Sequence, residues 1–227
     1  MIIAIDGPAG SGKSSTARMV AQALGIVHLD TGAMYRAITL KCLRAVIPVT
    51  DEKAIADVMN NTSITFKGAA PNTQLWMDGE NVSRAIRGDE VTKNVSDYCA
   101  VPVVREKLVD MQRQIAQGQS VVCEGRDIGT VVFPKAELKF FMTASIEERA
   151  RRRIGDFKRM GVGKSLSDLM AEIAERDRKD STRKLSPLQK AANARELDTT
   201  AMTLKEQVQL IIDAAKEVGK IKKALDA

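Results

Sequence analysis

The eight residues GPAGSGKS, Gly7 to Ser14, constrain the fold of this 227-residue chain more than any other stretch. They match G-x-x-x-x-G-K-[ST] in full. Before them, Met1 to Ile5 is short, apolar and β-branched, which predicts a buried parallel strand. After them, Ala17, Val20, Ala21 and Leu24 share one helical face, and Gly25 supplies a stop. Strand, loop and helix in that order make a phosphate cradle. The glycines let backbone N–H groups curl around an anion. Lys13 brings a point charge for β- and γ-phosphates, and the Ser14 hydroxyl can ligate Mg²⁺. The helix N-terminus adds partial positive charge. The loop is read as one that binds a nucleoside triphosphate.

Strand-like and helical segments then alternate. Ile26–Asp30 reads as a strand, TGAMYRAITLKCLRA as a helix, and Asp51–Asn61 as a short helix. From about 61 to 88 the character changes. SITFKGAAPNTQLWMDGENVS alternates apolar with polar and carries turn residues, predicting an antiparallel meander of two or three strands. Helices resume at Glu90–Tyr98 and Val101–Gln117, with buried strands at Ser120–Gly125 and Glu137–Ala144. Ser145 and Glu148 form a capping box for an arginine-rich helix. RELDTT gives a last strand and LKEQVQLIIDAAKEV a closing amphipathic helix. This order predicts an α/β fold, a doubly wound parallel sheet with helices on both faces and a small antiparallel insert. Ligands of such sheets bind beyond the carboxyl ends of the strands. GPAGSGKS, DTGAMYR and EGRDIG all follow strand ends and should converge there.

Composition narrows the partners. No apolar run approaches the ~20 residues needed to span a bilayer. Met1 leads straight into the first strand, leaving no room for a signal or transit peptide. Cys42, Cys99 and Cys123 lack metal spacing and read as reduced, buried thiols of a cytoplasmic protein. The one histidine, His28, lies in an apolar strand and reads as structural. The formal charge of +6 concentrates between Arg149 and Lys164, where seven basic residues face one acid, Asp156. With a single aromatic there, Phe157, base stacking is poorly supported, and a clamp for polyphosphate fits better. No nucleic-acid partner is expected. Farther on, Leu166, Leu169, Ile173, Arg176, Asp180 and Arg183 lie on one helical face that begins apolar and ends charged. Its charged end points either into the cleft or, as charge runs usually do, into solvent.

Taken together, GPAGSGKSS, LDTGAMYR, VVREKL, EGRDIGTVVFP, ERDRKDSTR and ELDTT resemble, in order and spacing, the bacterial cytidylate kinases. These are nucleoside monophosphate kinases of the P-loop kinase type, and the resemblance covers nearly the whole chain. It implies transfer of the γ-phosphoryl group of ATP to CMP or dCMP, with Mg²⁺, by a monomer. One P-loop kinase domain, 1–227, would include a monophosphate-binding region, 31–110, with the insert at 61–88, and a mobile lid, 149–165. ATP would be held by Gly7, Pro8, Ala9, Gly10, Ser11, Gly12, Lys13, Ser14 and Ser15. Carried over by motif, Thr31, Arg105, Asp127 and Arg183 would surround the cytosine, and Tyr35 would also belong to the substrate-binding set. Ser96, Arg176 and Asp180 would reach the sugar, and Arg36 and Arg126 the acceptor phosphate. Lys13, Arg126, Asp127, Arg149 and Arg153 would carry catalysis. Two positions depart from the family pattern: Glu124 stands where aspartate is usual, and Asn193 replaces another aspartate.

The chemistry of these residues agrees with that set. A carboxylate such as Asp127 can accept from the cytosine amine, and Arg105 can donate to an acceptor on the base. Phosphoryl transfer needs positioning and charge neutralisation more than a histidine base. Asp127 or another cleft carboxylate assists the metal or the acceptor oxygen, and the GVGK turn, Gly161–Lys164, is a candidate hinge. Another nucleoside monophosphate kinase, or a kinase of another small metabolite, shares the loop and is the alternative. A GTPase switch is disfavoured because no N-K-x-D occurs.

Overall fold

The computed structural model describes residues 1–159 and 163–225, with side chains described for 1–155 and 163–219. Among the described residues eight α-helices and eight strands occur in this order: β1 (Ile2–Asp6), α1 (Lys13–Leu24), β2 (Val27–Asp30), α2 (Thr31–Arg44), α3 (Glu52–Asn60), β3 (Ile64–Lys67), β4 (Gln74–Met77), β5 (Glu80–Asn81), α4 (Asp89–Tyr98), α5 (Pro102–Ala116), β6 (Val121–Gly125), β7 (Leu138–Thr143), α6 (Ile146–Arg159), α7 (Leu166–Thr182), β8 (Arg195–Asp198) and α8 (Leu204–Leu225). Five strands form a parallel sheet in the order β2-β6-β1-β7-β8.

Both faces of the sheet are covered, and β1 shows why its sequence is continuously apolar. Ile3 and Ile5 pack with Val20, Ala21 and Ile211 of α1 and α8. Ala4, pointing the other way, packs with Ile38 and Leu108 of α2 and α5. A strand buried on both faces has no polar side to show. The three-stranded sheet β3-β4-β5 is antiparallel, as the meander predicted. Its second hairpin turns at Asp78 and Gly79, both at positive φ, the backbone that a two-residue hairpin demands.

Several local expectations need correction. The first strand runs one residue beyond Ile5, to Asp6, whose carboxylate accepts the Ile128 and Gly129 N–H groups at 2.7 Å. The segment after EGRD forms a single π turn, Ile128–Val132. Only half the capping box forms. Ser145 Oγ accepts from the Glu148 N–H, but the Glu148 carboxylate turns to Arg152 at 3.0 Å. Thr200 Oγ1 accepts the Ser145 N–H in its place. The basic stretch is also less unbalanced in space than along the chain. Arg151 pairs with Glu147, Arg152 with Glu148, and Lys164 with Glu172 and Asp89, acids outside the 149–164 window. The side chains of Asp156, Phe157, Lys158 and Arg159, and Gly161 and Val162 of the expected hinge, lie outside what the structure describes. His28 is buried on β2, and the three cysteines are free and buried, as expected.

Candidate active site

The phosphate loop spans the end of β1 and the start of α1. Gly7 has φ 147°, and a Cβ there would lie 2.0 Å from the Met142 carbonyl oxygen of β7. Only glycine lets the loop pass so close to the neighbouring strand. Gly12, also left-handed at φ 96°, caps α1 and turns its N–H groups toward the loop. Lys13 is buried; its Nζ donates to the Pro8 carbonyl at 2.6 Å and to Ser11 Oγ at 3.3 Å. Thr199, past the end of β8, steadies the loop by donating to the Ser11 carbonyl at 3.0 Å. Ala9 and Ser11 are buried, and Ser15 is exposed on the first turn of α1.

Beside the loop, Glu124 is the last residue but one of β6. It is buried, and its Oε1 has no hydrogen-bond partner. Burial first, and the Asp30 carboxylate second, push Glu124 up to about 7. Burial first, and the Arg126 guanidinium second, push the Lys13 ammonium down to about 7. The Ser14 hydroxyl interacts with the Glu124 carboxylate. A hydroxyl next to a buried carboxylate with an unused oxygen fits a hard cation that draws its other ligands from phosphates and water. Among the described residues no cluster of three or more His, Cys, Asp or Glu could cage a metal alone.

The charged end of α7 points inward. Leu169 and Ile173 are fully buried, and one and two turns farther Arg176 and Asp180 enter the cleft. Asp180 accepts from Arg126 Nε at 2.9 Å and from Ser96 Oγ of α4 at 3.3 Å. Arg183, just past α7, donates through Nε to the Ser186 carbonyl. Its Nη2 stays 3.7 Å from Asp127, too far for a hydrogen bond.

Asp127 and Arg105 form a buried ion pair through a short hydrogen bond. The Arg105 guanidinium stands 5.4 Å from the Tyr35 ring centre. Thr31 Oγ1 donates to the Glu124 carbonyl at 2.7 Å, which joins α2 to β6. Three polar atoms here are buried and unpartnered: Tyr35 Oη, Arg105 Nε and Arg183 Nη2. Buried polar groups are normally satisfied, so such a cluster belongs to a surface shaped for a polar ligand.

Arg36 of α2 donates to the Ile86 carbonyl and to Thr92 Oγ1. Burial, and then like charges, pull it down to about 10, with Arg153 among the cations acting on it. Arg176 falls to about 9 by burial and the fields of Arg126, Arg36 and Arg153. Arg36 and Arg176 thus feel the repulsion of other arginines, whereas nearby acids hold Arg126 and Arg105 up in spite of burial. Contacts link many of the residues singled out in the sequence: Glu124 meets Ser14 of the loop, Arg126 and Arg176 meet Asp180, and Arg105 and Arg183 meet Asp127. Asp6, Asp30, Asp177 and Thr199 were not singled out. Asp6 carried a signal, an acid directly before the first loop glycine. Asp177 carried none, because it lies within a charged run that reads as solvated.

Residues 3–217 match the family model described as cytidylate kinase. The chain is 46% identical to the cytidylate kinase of Lactobacillus gasseri over 220 residues, 97% of this chain and 96% of that protein. It is 47% identical to that of Chloroherpeton thalassium over 225 residues, 96% and 94% of the two chains. A gluconokinase structure from Sinorhizobium meliloti superposes with TM-score 0.52 at 15% identity, covering 99% of this chain and 97% of that one. At that identity the likeness concerns the fold alone. With matching sequence across its length and a phosphate loop facing an arginine-lined cleft, this chain belongs to the cytidylate kinase family.

Proposed function

We infer that the protein transfers the γ-phosphoryl group of ATP to CMP or dCMP, giving CDP or dCDP and ADP. The observation that carries the reading is a phosphate loop whose buried Lys13 lies near Arg126, with the buried Asp127–Arg105 pair next along the chain. The loop from Gly7 to Ser15 holds ATP. Ser14 and Glu124 would hold Mg²⁺, which when bound neutralises phosphate charge. Lys13 gives its charge to the transferred group. Arg36 and Arg126 orient the acceptor phosphate, so that its oxygen lies in line with the bond that breaks. Ser96, Arg176 and Asp180 address the sugar. Asp127 accepts from the cytosine amine, while Arg105, Arg183, Thr31 and Tyr35 frame the ring.

In this reading residues 31–110 bind the monophosphate, and 149–165 form a lid whose Arg149 and Arg153 exclude water and stabilise transferring charge. The protein is a cytoplasmic monomer of pyrimidine nucleotide metabolism and has no nucleic-acid partner. No helix among the described residues is long and apolar enough to cross a membrane. A coupled ADP-release assay with ATP and CMP, dCMP, UMP or AMP tests the reading. CMP and dCMP should turn over at ~1–100 s⁻¹, with UMP and AMP at least tenfold poorer in kcat/KM. Equal turnover of all four, or none with CMP, would overturn it.

A further inference from the structure

Asp177 occupies a junction that none of the assigned roles uses. It follows Arg176 on α7, so its side chain leaves the helix about 100° from that of Arg176 and about 60° from that of Asp180. Asp180 meets Arg126 and Ser96, and Arg176 lies 4.0 Å from Asp180; Asp177 meets the phosphate loop instead. Its Oδ2 accepts from Arg149 Nη1 of α6 at 2.5 Å, and its Oδ1 from the Ala9 N–H at 3.4 Å. Arg149 closes the ring by donating to the Ala9 carbonyl at 3.1 Å, and its Nε donates to the Ala144 carbonyl at 3.0 Å. Loop and helix touch closely here, since a Cβ at Gly10 would lie 3.1 Å from the Cβ of Arg149. Ala150, Leu169 and Ile173 pack α6 on α7 without exposure, so this ring sits on a rigid base.

We propose that Asp177 is a positioning residue: it fixes the Arg149 guanidinium and the tip of the phosphate loop relative to the helix that reads the acceptor. An ordinary helix–helix salt bridge would leave the loop out. Here one carboxylate holds both a loop N–H and the neighbouring arginine, while the same helical turn carries Arg176 and Asp180. Donor and acceptor subsites are thereby registered on a single turn of α7. Small misplacements of charge at a transferring group cost rate more than affinity. Asp177 touches neither nucleotide in this account and acts through Arg149 and Ala9. The inference rests on the reading of Arg149 as a catalytic arginine.

Steady-state kinetics of Asp177→Ala, Arg149→Ala and the double variant test it, with melting curves as a folding control. Asp177→Ala should lower kcat by about 10–100-fold, with KM for CMP within about threefold of the parent. Asp177→Asn keeps an oxygen for the Ala9 N–H and should recover part of that loss; it also carries the test if the alanine variant does not fold. In the Arg149→Ala background, Asp177→Ala should cost clearly less than in the parent, because only its contact with the Ala9 N–H is left to lose. Unchanged kcat in Asp177→Ala, or losses that multiply in the double variant, would overturn the proposal. If Arg149→Ala alone is slow while Asp177→Ala is not, only the role of Asp177 falls. If Arg149→Ala keeps full kcat, the reading of Arg149 falls, and this role with it.

Discussion

Replacing Lys13 with methionine is expected to lower kcat by at least 10²–10³-fold, the usual order for removing one charge-stabilising donor. The same change should make the ligand-free protein more stable near pH 7. Lys13 is 4% exposed and its neighbours include Arg126, so the folded state disfavours its charge. The signs can be followed group by group. Glu124 titrates near 7 when folded and 4.5 when unfolded, so the folded state binds more protons between those values and stability falls as pH rises. Lys13 titrates near 7 when folded and 10.5 when unfolded, so the unfolded state binds more protons there and stability rises with pH. The two contributions leave a dip near pH 7. In Lys13→Met the rising limb disappears, and Tm at pH 7 should increase by roughly 2–4 °C, about 1 kcal/mol for a chain of this size. Thermal melts across pH 5–10 check the stability claim. A Tm at pH 7 below the parent's would show that the Nζ hydrogen bonds to Pro8 and Ser11 outweigh the burial of charge.

The second large effect is expected at Asp127. With asparagine there, the group facing the base can present an amide donor where cytosine brings its own amine, while uracil brings an acceptor. The ratio of kcat/KM for CMP over UMP should fall by about 10²-fold or more, since an unpaired buried polar group discriminates far more strongly than a lost methylene. Asp127→Ala should lose the same selectivity and stability besides. Arg105 and Arg183, both nearly buried, would keep their charge without the carboxylate between them. Breaking a buried pair from one side costs about 3–5 kcal/mol, a Tm loss of roughly 10 °C. A CMP/UMP ratio unchanged in both variants would remove Asp127 from base reading.

How far such residues could be found from sequence depended on what surrounds them in the chain. The loop was legible because Gly7, Gly12, Lys13 and Ser14 have a fixed spacing, and the flanking periodicities announce a strand and a helix. The insert was legible because period-two alternation ends in Asp78–Gly79, a pair suited to the left-handed backbone found there. The face of α7 was half legible. The spacing from Leu169 to Asp180 put those residues on one stripe, but only packing on Ala150 decides that the stripe faces inward. Asp177 differs from Asp180 by three positions in a run of charges, and its use depends on a loop 168 residues earlier in the chain. Tertiary partners likewise decided the capping box, where Thr200 takes the N–H that Glu148 would have capped. The excess charge of 149–164 misled in part, because a linear count cannot include Glu172 or Asp89.

The effects on rate and selectivity require that ATP and CMP lie end to end in one cleft, between Lys13 and Asp127. Calorimetric titration with adenosine and cytidine joined through five phosphates measures this most directly. The account predicts one molecule bound per chain, more tightly than either nucleotide alone, with both ATP and CMP displaced. Binding that displaces only one of them, or a chain that still takes up CMP beside the linked compound, would contradict it.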